Sequence, residues 1–187
     1  MRHRVLILAS GAGSLAQAII DAVELDIEIV ALISDSVQAH VLQRAHDAGI
    51  ETQVVPMKEN RDMWNVEIIE KTAYYKPDLV VSAGFMRILP PDFVNRFPTI
   101  NTHPALLPDF PGAHAVRDAL AAGVSVSGST VHWVDAGVDT GPIITQMEVP
   151  VLPNDDEARL HERIKKVERG LIVATIALIL PTLEHNV

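Results

Sequence analysis

A chain of 187 residues suits one domain large enough to bury a continuous core, and 48% hydrophobic against 21% charged residues is the balance of a globular protein. A net charge of −9 repels a phosphate backbone and argues against nucleic acid as the primary partner, while a small phosphorylated ligand can still be held by a local cluster of N–H donors. With no cysteine the chain forms neither a disulfide nor a zinc–thiolate site, a composition that suits a reducing cytoplasm.

Basic residues precede "VLILA" (5–9), but this run is too short for the apolar region of a signal peptide and reads as a buried strand. "SLAQAIIDAVEL" (14–25) sets Leu15, Ile19 and Val23 at i, i+4 and i+8 and predicts a helix. "EIVALIS" (28–34) is a second strand, "AHVLQRAHDA" (39–48) a helix stopped by Gly49, and "TQVVP" (52–56) a third strand. "RDMWNVEIIEKTAYY" (61–75) is a longer helix with Asn60 as its N-cap. "DLVVSAG" (78–84) is a central strand, "PPDFVNRF" (90–97) a helix opened by proline, "TINTH" (99–103) a short strand, and "AHAVRDALAA" (113–122) a helix with Gly123 after it. "GSTVHWV" (128–134) and "PIITQMEVP" (142–150) are strands joined by the loop "DAGVDTG". The stretch 155–180 is a long helix whose Leu160, Ile164, Val167 and Leu171 share a stripe; its apolar end "LIVATIALIL" (171–180) is about half of what a bilayer needs and reads as buried, so no membrane partner is expected.

Apolar strands alternating with helices predict an α/β fold: a mostly parallel twisted sheet covered by helices on both faces, Rossmann-like in its N-terminal half, in a single domain over 1–187. Ligands of such sheets sit beyond the carboxyl ends of the strands, which selects 10–16, 82–89 and 100–104.

The first of these, "SGAGSLA", carries Gly11, Gly13 and Ala16 in the G-x-G-x-x-[G/A] pattern, with Asp35 about twenty residues on, where a dinucleotide fold places its ribose-binding acid. A plain tight turn explains the glycines equally. Either way, the amides of Gly13, Ser14 and Leu15 stand at a helix start, where an anion is favoured.

The stretch "INTHPALLPDFPGAH" (100–114) discriminates. Asn101 and His103, two apart on a strand, share a face. An amide N–H₂ beside an imidazole suits acyl transfer to nitrogen: the amide stabilises an oxyanion, and the imidazole moves a proton. Asp139 in "DAGVDTG" approaches His103 across adjacent strand ends, orienting the imidazole.

"NTHPALLPDFPGAH", with "DTGPII" after it and "AGFMRILP" (83–90) before it, closely resembles the phosphoribosylglycinamide formyltransferases, a group of folate-dependent formyltransferases in purine biosynthesis; the resemblance runs from "SGAGS" to "RIKKVE". It implies transfer of a formyl group from 10-formyltetrahydrofolate, as cosubstrate, to the amine of glycinamide ribonucleotide, with residues 1–100 forming a phosphate-binding half and 101–187 a folate-binding and catalytic half. Asn101, His103 and Asp139 would be catalytic. Gly13, Ser14, Leu15, Gly84, Met86, Pro104 and Glu168 would bind the ribonucleotide; Glu168, between Ile164 and Leu171, borders the buried stripe and points from its rim. Arg61, Met86, Arg87, Ile88, Leu89, Asn101, Asp135, Ala136, Gly137, Val138 and Asp139 would hold the folate, largely through backbone groups. Leu15 stands where many members have asparagine, which leaves only the backbone N–H for phosphate. A homodimer in the cytoplasm is the mild expectation of the same resemblance.

His114 and His132 join His103 in suggesting a metal cluster, but no ligand spacing such as H-x-x-x-H is present, and the transfer requires no metal. His132 faces either the site or a helix; His3, His40, His46, His161 and His185 read as solvated. The alternatives are a nicotinamide-dependent oxidoreductase using Gly11, Gly13 and Asp35, a relative that binds or hydrolyses formyltetrahydrofolate, and a non-catalytic ligand-binding domain.

Overall fold

The computed structural model describes residues 2–183. Its elements are β1 (His3–Leu8), α1 (Ser14–Ile20), β2 (Ile27–Ser34), α2 (Val41–Asp47), β3 (Thr52–Val54), α3 (Arg61–Tyr74), β4 (Leu79–Ser82), α4 (Pro91–Arg96), β5 (Thr99–His103), α5 (Ala115–Ala121), β6 (Val126–Trp133), β7 (Ile143–Pro150) and α6 (Glu157–Ile179), with a 3-10 turn at Leu180–Thr182. The strands form one sheet in the order β3-β2-β1-β4-β5-β6-β7. β1 to β5 run parallel, and β6 and β7 are antiparallel additions, so the sheet is mostly parallel, as the alternation of elements implied.

The central strands are apolar on both faces because helices cover both. Val5, Ile7, Leu32, Leu79, Val81 and Ile100 pack with α1, α2 and α6, whereas Leu6, Leu8, Ile33 and Val80 meet Trp64 and Ile68 of α3 and Phe93 of α4. Strand order reverses between β1 and β4: the chain leaves β1 toward α1 on one face and β4 toward α4 on the other, which opens a crevice at their carboxyl ends. The caps follow local chemistry. Asn60 accepts from the N–H groups of Asp62 and Met63 at 2.9 and 3.3 Å to start α3, and Asp156 accepts from Arg159 N–H at 2.8 Å to start α6.

Three expectations are corrected. The helix expected over 14–25 ends at Ile20, and Val23 is 92% exposed. Continuing it would carry the chain about 7 Å further along its axis; instead the turn Leu25 N–H to Ala22 O buries Ala22 and Leu25 and brings β2 back beside β1. On α6, Leu160, Ile164 and Leu171 are buried as expected, but Val167 is partly exposed and Glu168 itself lies in the buried stripe. His3 and His161 are half-buried, not solvated; His40 and His46 are exposed, and His185 lies outside the described residues. Among the described residues no helix is long and apolar enough to cross a membrane.

Candidate active site

Strand register places the polar groups. Ser82 of β4 pairs with Asn101, Asn101 pairs with His132 of β6, and His103 pairs with Thr130. Asn101 and His103 share a face, as their spacing required, and His132 lies directly opposite the amide on that face. Asn101 Nδ2 is 3.3 Å from His132 Nε2. Asp139 reaches in from the loop between β6 and β7: its Oδ2 is 3.3 Å from His103 Nδ1 and its Oδ1 is 3.5 Å from His132 Nε2. The three residues singled out for chemistry therefore converge, and His132 completes the group.

Donor and acceptor accounting defines the rings. His103 Nε2 donates to the Phe110 carbonyl at 2.7 Å while Nδ1 faces the Asp139 carboxylate, so an imidazolium satisfies both nitrogens. His132 Nδ1 donates to the Trp133 carbonyl at 2.9 Å. Its Nε2 then accepts from the Asn101 N–H₂ when the ring is neutral and donates to Asp139 when it is charged. In the neutral arrangement His132 turns the amide so that its remaining N–H is available to an incoming oxygen. Both rings are buried, at 3% and 2% exposure, which strengthens these interactions. Burial pushes the Asp139 carboxyl up; the hydrogen bonds from His132 and the Gly112 N–H, with His103 nearby, outweigh it and hold the group below its ordinary 3.8.

Backbone devices hold these groups in place. Asp139 itself has φ 54. Asp135 accepts from Gly137 N–H at 3.0 Å and Thr140 Oγ1 at 2.7 Å, tying one end of the loop to the other. The proline-dense segment after His103 folds over the site because Thr130 Oγ1 accepts from Leu107 N–H (3.0 Å) and donates to Ala105 O (2.7 Å); the Leu107–Pro108 bond is cis. Pro104 begins that segment at the carboxyl end of β5.

Two further loops border the group at the carboxyl edge. In the glycine loop Gly13 has φ 75, and a Cβ there would stand 2.3 Å from Val41 Cγ2, so glycine is required on both counts. The helix begins at Ser14; Leu15 points into the core, which leaves its backbone N–H at the helix start. Arg44 braces this turn by donating to Ala12 O at 2.8 Å. Gly84 (φ 76) accepts from Ser10 N–H at 3.1 Å, joining the glycine loop to the 84–89 loop. There Met86 and Ile88 are 73% and 62% exposed, with Val138 exposed on the 135–139 loop, while the Leu89 side chain is buried in the core. The Arg61 guanidinium donates to the Ile88 carbonyl and lies 4.5 Å over the Trp64 ring. Glu168 lies on the other face of the sheet at the same end, 3.5 Å from Ser129 Oγ, and burial pushes its carboxyl up to about 7.

Asp35 departs from the dinucleotide reading. Its side chain is 3% exposed and paired with Arg87, so it is not available to a ribose. His132 is the member of this group that sequence reasoning left undecided: alternation in "TVHWV" shows that it shares a face with Thr130, but only the β5–β6 register shows that this is the face of Asn101. Thr130 was missed altogether and nothing in its local sequence marks it, while Ser10 lay in the selected stretch 10–16 without being given a role.

A mostly parallel α/β sheet with an amide, two imidazoles and a carboxylate converging at its carboxyl edge defines a group-transfer enzyme of the acyl-transfer type. Residues 3–176 match the family model described as formyl transferase, and the chain belongs to that family. It is 53% identical over 180 residues to a phosphoribosylglycinamide formyltransferase of Mycobacterium tuberculosis, covering 93% of this chain and 83% of that protein. It is 42% identical over 187 residues to the trifunctional purine biosynthetic protein adenosine-3 of Drosophila melanogaster, covering 95% of this chain and 14% of that much longer protein. The crystal structure of glycinamide ribonucleotide transformylase 1 from Symbiobacterium toebii superposes with a TM-score of 0.93 at 38% identity, over 97% of this chain and 89% of that one.

Proposed function

We propose that this chain transfers the formyl group of 10-formyltetrahydrofolate to the amine of glycinamide ribonucleotide, a step of de novo purine biosynthesis in the cytoplasm. The observation that carries this reading is the convergence of Asn101, His103, His132 and Asp139 at one strand end, in a chain whose relatives bear the name of that activity. The folate supplies an activated formyl carbon on a good nitrogen leaving group. The exposed apolar side chains of Met86, Ile88 and Val138 at the strand ends fit a flat heteroaromatic ring. The amides of Gly13, Ser14 and Leu15 receive the ribonucleotide phosphate, and Glu168, whose carboxyl burial pushes up to about 7, meets the ribose hydroxyls as donor or acceptor.

In the transfer the amine nitrogen bonds to the formyl carbon, the bond from that carbon to the folate nitrogen breaks, and one proton passes from the amine to the departing nitrogen. Asn101 donates to the formyl oxygen as it gains charge, and the His103 ring, held between Phe110 O and Asp139, offers positive charge beside it in a site where burial makes such groups effective. Asp139 holds His103 in the required orientation and, with His103, moves the proton.

The test incubates the purified chain with both substrates and follows formylated ribonucleotide by mass and the deformylated folate by absorbance. Product at the rate of an enzyme is expected from the parent chain. His103→Ala should lose turnover by about 10²–10⁴-fold while still binding the ribonucleotide in calorimetry. Turnover like the parent's in that variant, or no product from the parent, overturns the reading.

A further inference from the structure

Asp35 is the residue that the glycine pattern singled out and that formyl transfer leaves without a task. It sits at the carboxyl end of β2, on the α3 side of the sheet. One carboxylate oxygen takes Arg87 Nε at 2.5 Å; the other is buried without a hydrogen-bond partner among the described residues. Burying a carboxylate with a single partner is unfavourable, so the fold retains it at a cost in stability. What it holds is informative. Arg87 lies in the 84–89 loop, and both of its neighbours are also tied down: Met86 N–H donates to Ser10 Oγ at 2.8 Å, and Ile88 O accepts from the Arg61 guanidinium. Three consecutive residues are thus bound to three separate elements: the turn after β1, the end of β2 and the first turn of α3. The side chains of Met86 and Ile88 meanwhile project outward. A short loop with exposed side chains and no ladder of its own is otherwise among the mobile parts of a protein.

We propose that Asp35 is a positioning residue for the formyl donor: through Arg87 it holds the backbone of residues 86–88 in the shape that receives the donor's ring, with Ser10 and Arg61 holding either side. This rests on the formyl-transfer reading above. Asp35, at the end of β2, is separated in the sheet from Asn101 and His103 of β5 by β1 and β4, and acts only through that backbone. Its loss therefore weakens donor binding and leaves the chemistry, once the donor is bound, as it was.

The experiment measures kcat and both KM values for the parent, Asp35→Ala and Asp35→Asn, alongside amide hydrogen exchange. Asp35→Ala should raise the donor KM roughly tenfold, with kcat at saturation and the ribonucleotide KM within about twofold of the parent. Asp35→Asn keeps an acceptor for Arg87 Nε and should fall between the two. Exchange at residues 86–88 should accelerate in Asp35→Ala while the amides of the glycine loop stay protected. If Asp35→Ala does not fold, Asp35→Ser, which also removes the carboxylate that holds Arg87, is read in its place and should raise the donor KM likewise. A donor KM within about twofold of the parent, or an equal rise in both KM values, overturns the proposal. A parent chain that makes no formylated product overturns the underlying reading and this one with it; an active parent with an indifferent Asp35→Ala overturns this one alone.

Discussion

Replacing Glu168 with glutamine isolates the energetic consequence of burying an acid in the apolar stripe of α6. Burial lifts the carboxyl from 4.5 to about 7, against smaller opposing effects from the Ser129 hydroxyl, Lys165 and Arg169. In the unfolded chain the group keeps its ordinary value, so the native state binds a proton that the unfolded state has lost throughout the interval between them. The stability this represents is fully present below pH 4.5 and is lost as pH rises through about 7. At about 1.4 kcal/mol per unit the whole effect is roughly 3 kcal/mol, a sizeable part of a typical domain's stability. Glutamine preserves the shape and the contact with Ser129 without a titrating proton. Urea unfolding across this pH range should show the parent losing stability toward pH 8 relative to Glu168→Gln, while the two curves meet on the acid side. Parallel curves for the two proteins, or a parent more stable at alkaline pH, would refute the argument that Glu168 is neutral because it is buried.

Gly13→Ala forces a Cβ to 2.3 Å from Val41 Cγ2 at a residue with φ 75. It should cost about 2–4 kcal/mol in denaturant unfolding, and a loss below about half a kcal/mol would show that the glycine loop is less constrained than its geometry states. Arg163 grips Asp155 with bonds of 2.7 and 2.8 Å at the start of α6 and, with the Leu152 N–H, holds that carboxyl at about 2. Because the folded value is depressed, the contribution is present above 3.8 and is lost as pH falls through about 2. Arg163→Gln should therefore move the acid-unfolding midpoint, followed by circular dichroism, to higher pH; an unmoved midpoint would show that the clasp does not contribute.

How much of this was legible in the residues themselves follows from the range of the forces involved. Strands that must be apolar on both faces, a helix capped by Asn60, and glycines that suit a tight turn between strand and helix all announce themselves over a few neighbouring positions. So did the shared face of Asn101 and His103, since a strand's period of two makes it a local property. The early end of α1 was not legible, because Leu15, Ile19 and Val23 fit a longer helix, and only the need to return β2 beside β1 breaks it after Ile20. Glu168 looked like a rim residue by its spacing from Ile164 and Leu171, and the packing of α6 on β6 instead placed it in the stripe.

The sequence by itself thus determined the layered α/β architecture, the three loops that meet at its carboxyl edge, and an amide, an imidazole and an acid suited to formyl transfer. Tertiary structure alone decided that His132 faces Asn101 and that Asp139 lies between two rings. It also decided that Asp35 serves Arg87 in place of a ribose. Those facts depend on pairings between residues tens of positions apart. Such pairings are set by sheet register and by the closing of loops, and no local pattern of side chains encodes them.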